Sequence, residues 1–115
     1  MGKEIDLEEN AILLAKAVSA AGAIEYQADS VVSKTLINKP SGNVTLFAFD
    51  AGQGLSEHTA PFDAMVYILD GTANITISGS DQVVKTGEII IMPAHEPHAL
   101  KATENFKMML IMIKS

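Results

Sequence analysis

The hydrophobic and polar positions of this 115-residue chain change their spacing near residue 23. Before that point apolar residues recur at helical intervals, and Asp6 with Glu9 forms a capping-box pattern. These features predict a short N-terminal helical segment over residues 1–22, ending near Gly22. From residue 23 onward, short runs with β-branched residues alternate with Gly, Pro, Asn, Asp and Ser, so residues 23–115 are predicted to form one all-β domain.

Two kinds of strand are distinguishable in this second part. The stretch "TANITISG" alternates strictly, with Ala73, Ile75 and Ile77 on one side, which predicts a strand with one wet face. The stretches "EIIIM" and "FKMMLIMI" are apolar at nearly every position, as in strands covered on both faces by a second sheet or by a partner subunit. We therefore expect a homodimer.

Composition narrows the classes of partner and site. The chain carries 8 Lys+Arg against 14 Asp+Glu, a net charge of -6, which disfavours nucleic acid and anionic membrane surfaces as partners. It contains no apolar run of about 20 residues, and its first ten residues are acidic, so a cytoplasmic protein is expected. Because it has no cysteine, any metal must bind through His, carboxylate, amide or water ligands.

Glycine, proline and histidine recur at spacings that form two motifs. The first motif has five residues between Gly52 and His58 and then Gly71, and the second has five residues between Gly87 and Pro93 and then His98. This pattern resembles the two motifs of the cupin family, G-x5-H-x-H-x3-4-E-x6-G and G-x5-P-x-G-x2-H-x3-N. The resemblance implies a double-stranded β-helix, the cupin or jelly-roll barrel, preceded here by the short helix, with a pocket between its two sheets.

The resemblance also implies which positions belong to a metal site. In metal-binding cupins the first motif supplies two His and a Glu, and the second supplies one His. His58 and His98 occupy two of these four positions, whereas Ala60 and Ala64 stand at the other two. The second motif also lacks its glycine, which His95 replaces. A site of two imidazoles is expected to be weak, because stable sites usually have three or four protein ligands.

Two further residues are weaker metal candidates. Asp63 adjoins the lost Glu position but is one residue out of register, so a regular strand points it to the opposite face unless a bulge intervenes. His95 stands in a tight turn and is expected to be an exposed residue with positive φ, since histidine tolerates that conformation. If its side chain turned inward, it would supply a third nitrogen ligand.

Three functions remain open from the sequence. The first is a barrel that binds a small organic acid or carbohydrate-like ligand, with His58 and His98 as polar contacts in an otherwise apolar pocket. The second is a mononuclear metal-dependent enzyme, a dioxygenase or isomerase, with Zn, Fe, Mn, Ni or Cu on the same histidines. The third is a non-catalytic dimeric interaction module. The predicted pocket wall consists of Ala60, Phe62, Ala64, Val66, Ile91 and Leu100.

Overall fold

The computed structural model describes residues 3–7 and 14–114 of the chain. These residues form a strand-rich protein with a single short 3-10 helix, Ala21–Ala23, among the described segments. The strands are β1 (Lys3–Leu7), β2 (Ser30–Lys39), β3 (Gly42–Phe49), β4 (Gly54–His58), β5 (Asp63–Ile77), β6 (Ser80–Lys85), β7 (Ile89–Met92), β8 (His98–Lys101) and β9 (Phe106–Ile113).

The strands curl into two sheets that share β5. The long sheet has the order β1-β2-β3-β9-β5-β7, and the short sheet has the order β4-β8-β5-β6. Only β1 and β2 pair in parallel, and the other pairings within the described residues are antiparallel. This jelly-roll arrangement confirms the predicted all-β barrel.

The strand β5 passes from the long sheet to the short sheet through a bulge between Ile68 and Asp70 and then Gly71. Gly71 has φ +77, and a Cβ at this position would collide with the carbonyl oxygen of Asn105. Only glycine combines this backbone conformation with so close an approach. The first motif therefore ends in glycine because β5 must turn here against the start of β9.

The main core lies between the two sheets. Its centre is a pair of stacked rings, Phe49 and Phe106, with centroids 4.4 Å apart. Burial of these large side chains supplies much of the hydrophobic stabilisation of the barrel. The buried residues of this main core are Val31, Phe49, Ala64, Val66, Ile68, Ala73, Ile75, Val84, Met92, Leu100, Ala102, Phe106 and Met108.

A smaller cluster covers part of the outer face of the long sheet. Its buried residues are Ile24, Val32, Leu46 and Ala48, and the segment around the 3-10 helix packs over it. The Nζ atom of Lys107 donates a hydrogen bond to the carbonyl of Ala21 at 2.6 Å. This contact holds the covering segment against the sheet.

The rest of that outer face carries a row of apolar side chains. Direct cross-strand pairing aligns one residue from each of five strands. Ile37 and Ile91, at the two ends of the row, are 50% and 58% exposed. We call this set the apolar row: Ile37, Val44, Ile111, Met65 and Ile91.

The predicted N-terminal helix is wrong for the described residues. Residues 3–7, predicted to begin it, form β1 and pair with β2, and residues 14–20 contain no helix. A short helix is only marginally stable unless its apolar side packs against the rest of the protein. Leu14 and Val18, two residues of the predicted apolar stripe, are 71% and 52% exposed and have no such packing. The middle of the predicted helix, including Glu9, lies outside the described residues.

No helix in the described part of the chain is long and apolar enough to cross a membrane.

Candidate functional site

The two motif histidines meet between the ends of neighbouring strands. His58 is the last residue of β4 and His98 is the first residue of β8, and the antiparallel register pairs them directly. Their Nε2 atoms are 3.1 Å apart, and the rings stand edge to face with centroids at 4.4 Å. A register shift between Leu55 and His58 brings the rings together. We call these two residues the histidine pair.

Each ring of the histidine pair is held by the backbone of its own strand or turn. The Nδ1 of His58 donates to the carbonyl of Ser56 at 2.8 Å, and the Nδ1 of His98 donates to the carbonyl of Glu96 at 3.2 Å. A carbonyl oxygen only accepts hydrogen bonds, so both Nδ1 atoms carry hydrogen. In neutral rings both Nε2 atoms would then present lone pairs to each other. A proton or another cation between them relieves this repulsion.

The two histidines differ in exposure. His98 is 5% exposed, whereas His58 is open to solvent. Burial lowers the pKa of His98 below its ordinary value, the nearby His58 lowers it further, and the hydrogen bond to Glu96 partly offsets both effects. The buried ring is therefore neutral near pH 7.

Asp63 and His95 take part in hydrogen bonds that connect the two loops beside the histidine pair. The N–H of His95 donates to the carbonyl of Ala60 at 2.7 Å, and the N–H of Ala94 donates to Oδ1 of Asp63 at 2.8 Å. His95 is exposed with φ +68. Within residues 3–7 and 14–114, no three His, Asp or Glu side chains come close enough to hold a metal ion.

Five of the six predicted wall residues lie in two places. Ala64, Val66 and Leu100 are buried in the main core. The loop after β4 carries the half-buried Ala60 and Phe62.

The sixth predicted wall residue, Ile91, lies outside the barrel. Ile91 was expected in the pocket, but it is 58% exposed and belongs to the apolar row. Its neighbours Ile90 and Met92 face the main core instead. The continuous apolar run of β7 hid this alternation, because both faces of the strand carry isoleucine or methionine.

One inward polar residue escaped the sequence analysis. The Oδ1 atom of Asn43, on β3, is buried and has no hydrogen-bond partner. The alternation of "NVTLFAF" could have revealed it, since Asn43 shares its side of the strand with Phe47 and Phe49. The strand that carries Asn43 contains none of the motif positions.

A separate groove lies on the outer face of the short sheet. It encloses about 580 Å³ and is lined partly by Ser56, Asn74, Thr76 and Lys101. Lys101 and Ala99 alternate with His98 and Leu100 along β8, so this groove and the histidine pair lie on opposite faces of that strand.

Comparison with known proteins identifies the fold family. The model of the cupin domain family matches residues 45–114. A solved structure of a conserved protein of unknown function from Streptococcus pyogenes is 38% identical, with a TM-score of 0.87 over 95% of this chain and 96% of that chain. No protein with a curated description matches the sequence.

Two other structures differ from this chain in length. A cupin 2 conserved barrel domain protein from Leptotrichia buccalis is 44% identical with a TM-score of 0.79, covering 82% of this chain and 46% of that one. Salicylate 1,2-dioxygenase from Pseudaminobacter salicylatoxidans is 13% identical with a TM-score of 0.68, over 72% of this chain and 26% of that chain, a likeness of fold alone. From the family match and the Streptococcus relative together, the chain belongs to the cupin domain family.

Proposed function

We propose that this cupin binds a small organic ligand in its barrel, with His58 and His98 as its polar contacts. The observation that carries the proposal is the pair of facing Nε2 atoms, 3.1 Å apart, on rings whose Nδ1 atoms are both engaged by carbonyls. In each ring, Nε2 is therefore the nitrogen that has no backbone hydrogen-bond partner and can contact a ligand. A ligand oxygen is a suitable partner, because it can accept a hydrogen bond from a protonated Nε2.

A carboxylate is the ligand group that this pair suits best. With both Nδ1 atoms protonated, a further proton on one Nε2 gives the pair a net positive charge, and a bound carboxylate would replace the second ring as the acceptor of that proton. A charge-assisted hydrogen bond from Nε2–H to a carboxylate is stronger than one between neutral groups. Leu100, beside His98 on β8, is buried in the main core, so the pair lies at the margin of an apolar interior, as polar groups do in most small-molecule sites. A small carboxylic acid is therefore the proposed ligand class.

Nuclear magnetic resonance of the imidazole nitrogens tests this function. We expect propionate to shift the Nε2 signals of His58 and His98, while those of the exposed His95 stay unchanged. His58→Gln and His98→Gln should each abolish the shift, and His95→Gln is the matched control. Unchanged histidine signals at saturating propionate, lactate, succinate and malate would overturn the proposal.

A mononuclear metal site is a second candidate, favoured by the same distance. Two imidazole nitrogens about 2.0–2.1 Å from one ion, at angles of about 90–110°, lie about 2.9–3.4 Å apart. The observed 3.1 Å falls in this range. His58 and His98 would hold the ion, and such an ion would supply Lewis-acid polarisation of a chelating oxygen ligand.

Elemental analysis separates the two candidates. The protein is purified without a histidine tag or nickel column and then exposed to Fe, Mn, Zn, Ni or Cu, alongside the His58→Ala/His98→Ala variant. Near-stoichiometric metal in the parent and none in the variant would establish the metal site. Equal, trace metal in both proteins would exclude it and leave metal-free ligand binding.

We also propose that the protein is a homodimer and that the apolar row forms its interface. The row contains five uncharged side chains, so a second copy can pack against it without opposing charges, even though the chain carries a net charge of -6. Burying the same row on both subunits matches the symmetric interfaces that most homodimers use. A cytoplasmic location and the lack of nucleic-acid or membrane partners stay predictions from the sequence.

A further inference from the structure

The side chain of Asn43 lies on the interior face of the long sheet. Cross-strand register pairs Asn43 with Met112 and Met112 with Ala64, and Ala64 pairs with Met92 on the far side. Ala64 and Met92 belong to the main core, and Met112 packs against it. Because directly paired residues share a face, Asn43 lies beside three apolar residues on the inner face, and on its other side it pairs with the exposed Asn38 of β2.

An asparagine is an unfavourable choice for this position unless it has a partner. Its Oδ1 atom is buried without a hydrogen bond. A buried acceptor left unpaired loses its hydration without compensation, and asparagine is also among the residues that strands disfavour. The neighbours of Asn43 on the side of the main core, Met112, Ala64 and Met92, are apolar and offer it no side-chain donor.

The row of Asn43 ends beside the loops that carry the histidine pair. Met92 is followed directly by the turn that leads to His98, and Ala64 follows the loop that begins after His58. The hydrogen bond from the N–H of His95 to the carbonyl of Ala60 joins these two loops. Asn43 and the histidine pair therefore belong to the same end of the barrel, on opposite sheets.

We infer that Asn43 determines ligand specificity, its Oδ1 accepting a hydrogen bond from a hydroxyl or amino group on the acid that the histidine pair binds. This inference rests on the proposed function and narrows its ligand class to small hydroxy or amino acids. Facing sheets lie about 10 Å apart, which sets the size of a ligand that would reach from the histidine pair to Asn43 at about three or four carbon atoms. Lactate and malate have this size, and propionate and succinate are their counterparts without the hydroxyl.

Calorimetric titration of the full chain with these two matched pairs tests the inference. We expect the wild type to bind lactate and malate at least fivefold more tightly than propionate and succinate. Asn43→Leu, or Asn43→Ala as a smaller variant, should bind both members of each pair equally. Asn74→Leu, which removes an amide from the outer face of the short sheet, should keep the fivefold preference.

Two controls distinguish failure of this inference from failure of the proposed function. Without ligand, Asn43→Leu should melt no lower than the wild type, because no hydrogen bond of Oδ1 is lost; a lower melting temperature with an unchanged hydroxyl preference would overturn the inference. Histidine signals that shift with all four acids, without the fivefold preference, would also overturn it while leaving the proposed function intact. Acids that shift no histidine signal would overturn both.

Discussion

The two sheets of the barrel share one interior but differ on their outer faces. The outer face of the long sheet carries the apolar row, in which Val44, Ile111 and Met65 stand side by side. The outer face of the short sheet is polar: Thr76 donates a hydrogen bond to Asp81 at 2.7 Å, and Asn74 donates one to Thr103 at 3.2 Å. Both inner faces contribute to the same main core.

This difference shows which positions the fold requires and which it leaves to other uses. The inner faces of the strands must be largely apolar to form the shared core, with Asn43 and His98 as polar exceptions. The outer faces are under no such constraint, so an apolar outer face is a sign of further burial. Substitutions can separate these roles.

The largest effect is expected from the shared interior. Phe106→Ala removes a fully buried ring stacked on Phe49, and should lower the free energy of unfolding by about 3–5 kcal/mol. Urea denaturation measures this change. Val83→Ala, at a position 58% exposed, is the control and should change stability by less than about 0.5 kcal/mol. Similar losses for both variants would contradict the assignment of the core.

A smaller loss is expected where β5 passes between the sheets. Gly71→Ala combines a left-handed backbone with a collision against Asn105, and should cost more than the about 1–2 kcal/mol expected for the conformation alone. Gly79→Ala is a matched control, because Gly79 has φ +81 but open space around it. The difference between the two variants in thermal unfolding measures the close approach. Equal costs would refute that explanation of the motif glycine.

The contribution of each outer face to self-association can be compared by adding one lysine to each face. Ile111→Lys places an ammonium group in the middle of the apolar row and should raise the dissociation constant of the proposed dimer about 10- to 100-fold, through lost burial of about 1.5–3 kcal/mol. Thr76→Lys makes the same charge change on the short sheet and should leave association unaltered. Sedimentation equilibrium measures both. If only Thr76→Lys caused dissociation, the interface would lie on the short sheet and the proposal for the apolar row would be wrong.

The smallest effect is a pH dependence arising from His98. Because its pKa is lowered in the folded state, the unfolded chain takes up this proton more readily below pH 6.5. Stability should therefore be complete above that pH and should fall as the pH drops from about 6.5 toward the lower folded pKa. His98→Gln should flatten this part of the curve, whereas His95→Gln should not. An unchanged slope in the His98 variant would argue against a buried neutral ring.

Much of the fold was predictable because its signals are local. Alternation and turn residues marked the strands, and the motif spacing anticipated that His58 and His98 would converge. The strand β1 was not predicted, because its five residues depend on the edge of β2 for hydrogen-bond partners. A helix and an edge strand of that length differ mainly in what is packed beside them.

The chemistry of the site was less predictable than its location. The lone pairs of the histidine pair face each other only because of the register shift in β4 and the carbonyls of Ser56 and Glu96. Every residue has a backbone carbonyl, so a sequence motif cannot indicate which carbonyls will contact a side chain. The burial of Asn43 likewise depends on its cross-strand neighbours, such as Met112, and the sequence alone does not show which residues of different strands are paired.

The long strand β5 also constrains how the protein is made. Its four pairing partners in the described residues, β6, β7, β8 and β9, all follow it in the chain, and the last of them ends at Ile113. During synthesis β6 and β7 can pair with β5 soon after it leaves the ribosome, but the edge that β9 covers stays unpaired until nearly forty further residues have followed. Exposed strand edges recruit other chains. A nascent chain that stalls before β9 is expected to aggregate, so the barrel depends on translation running through its last strand.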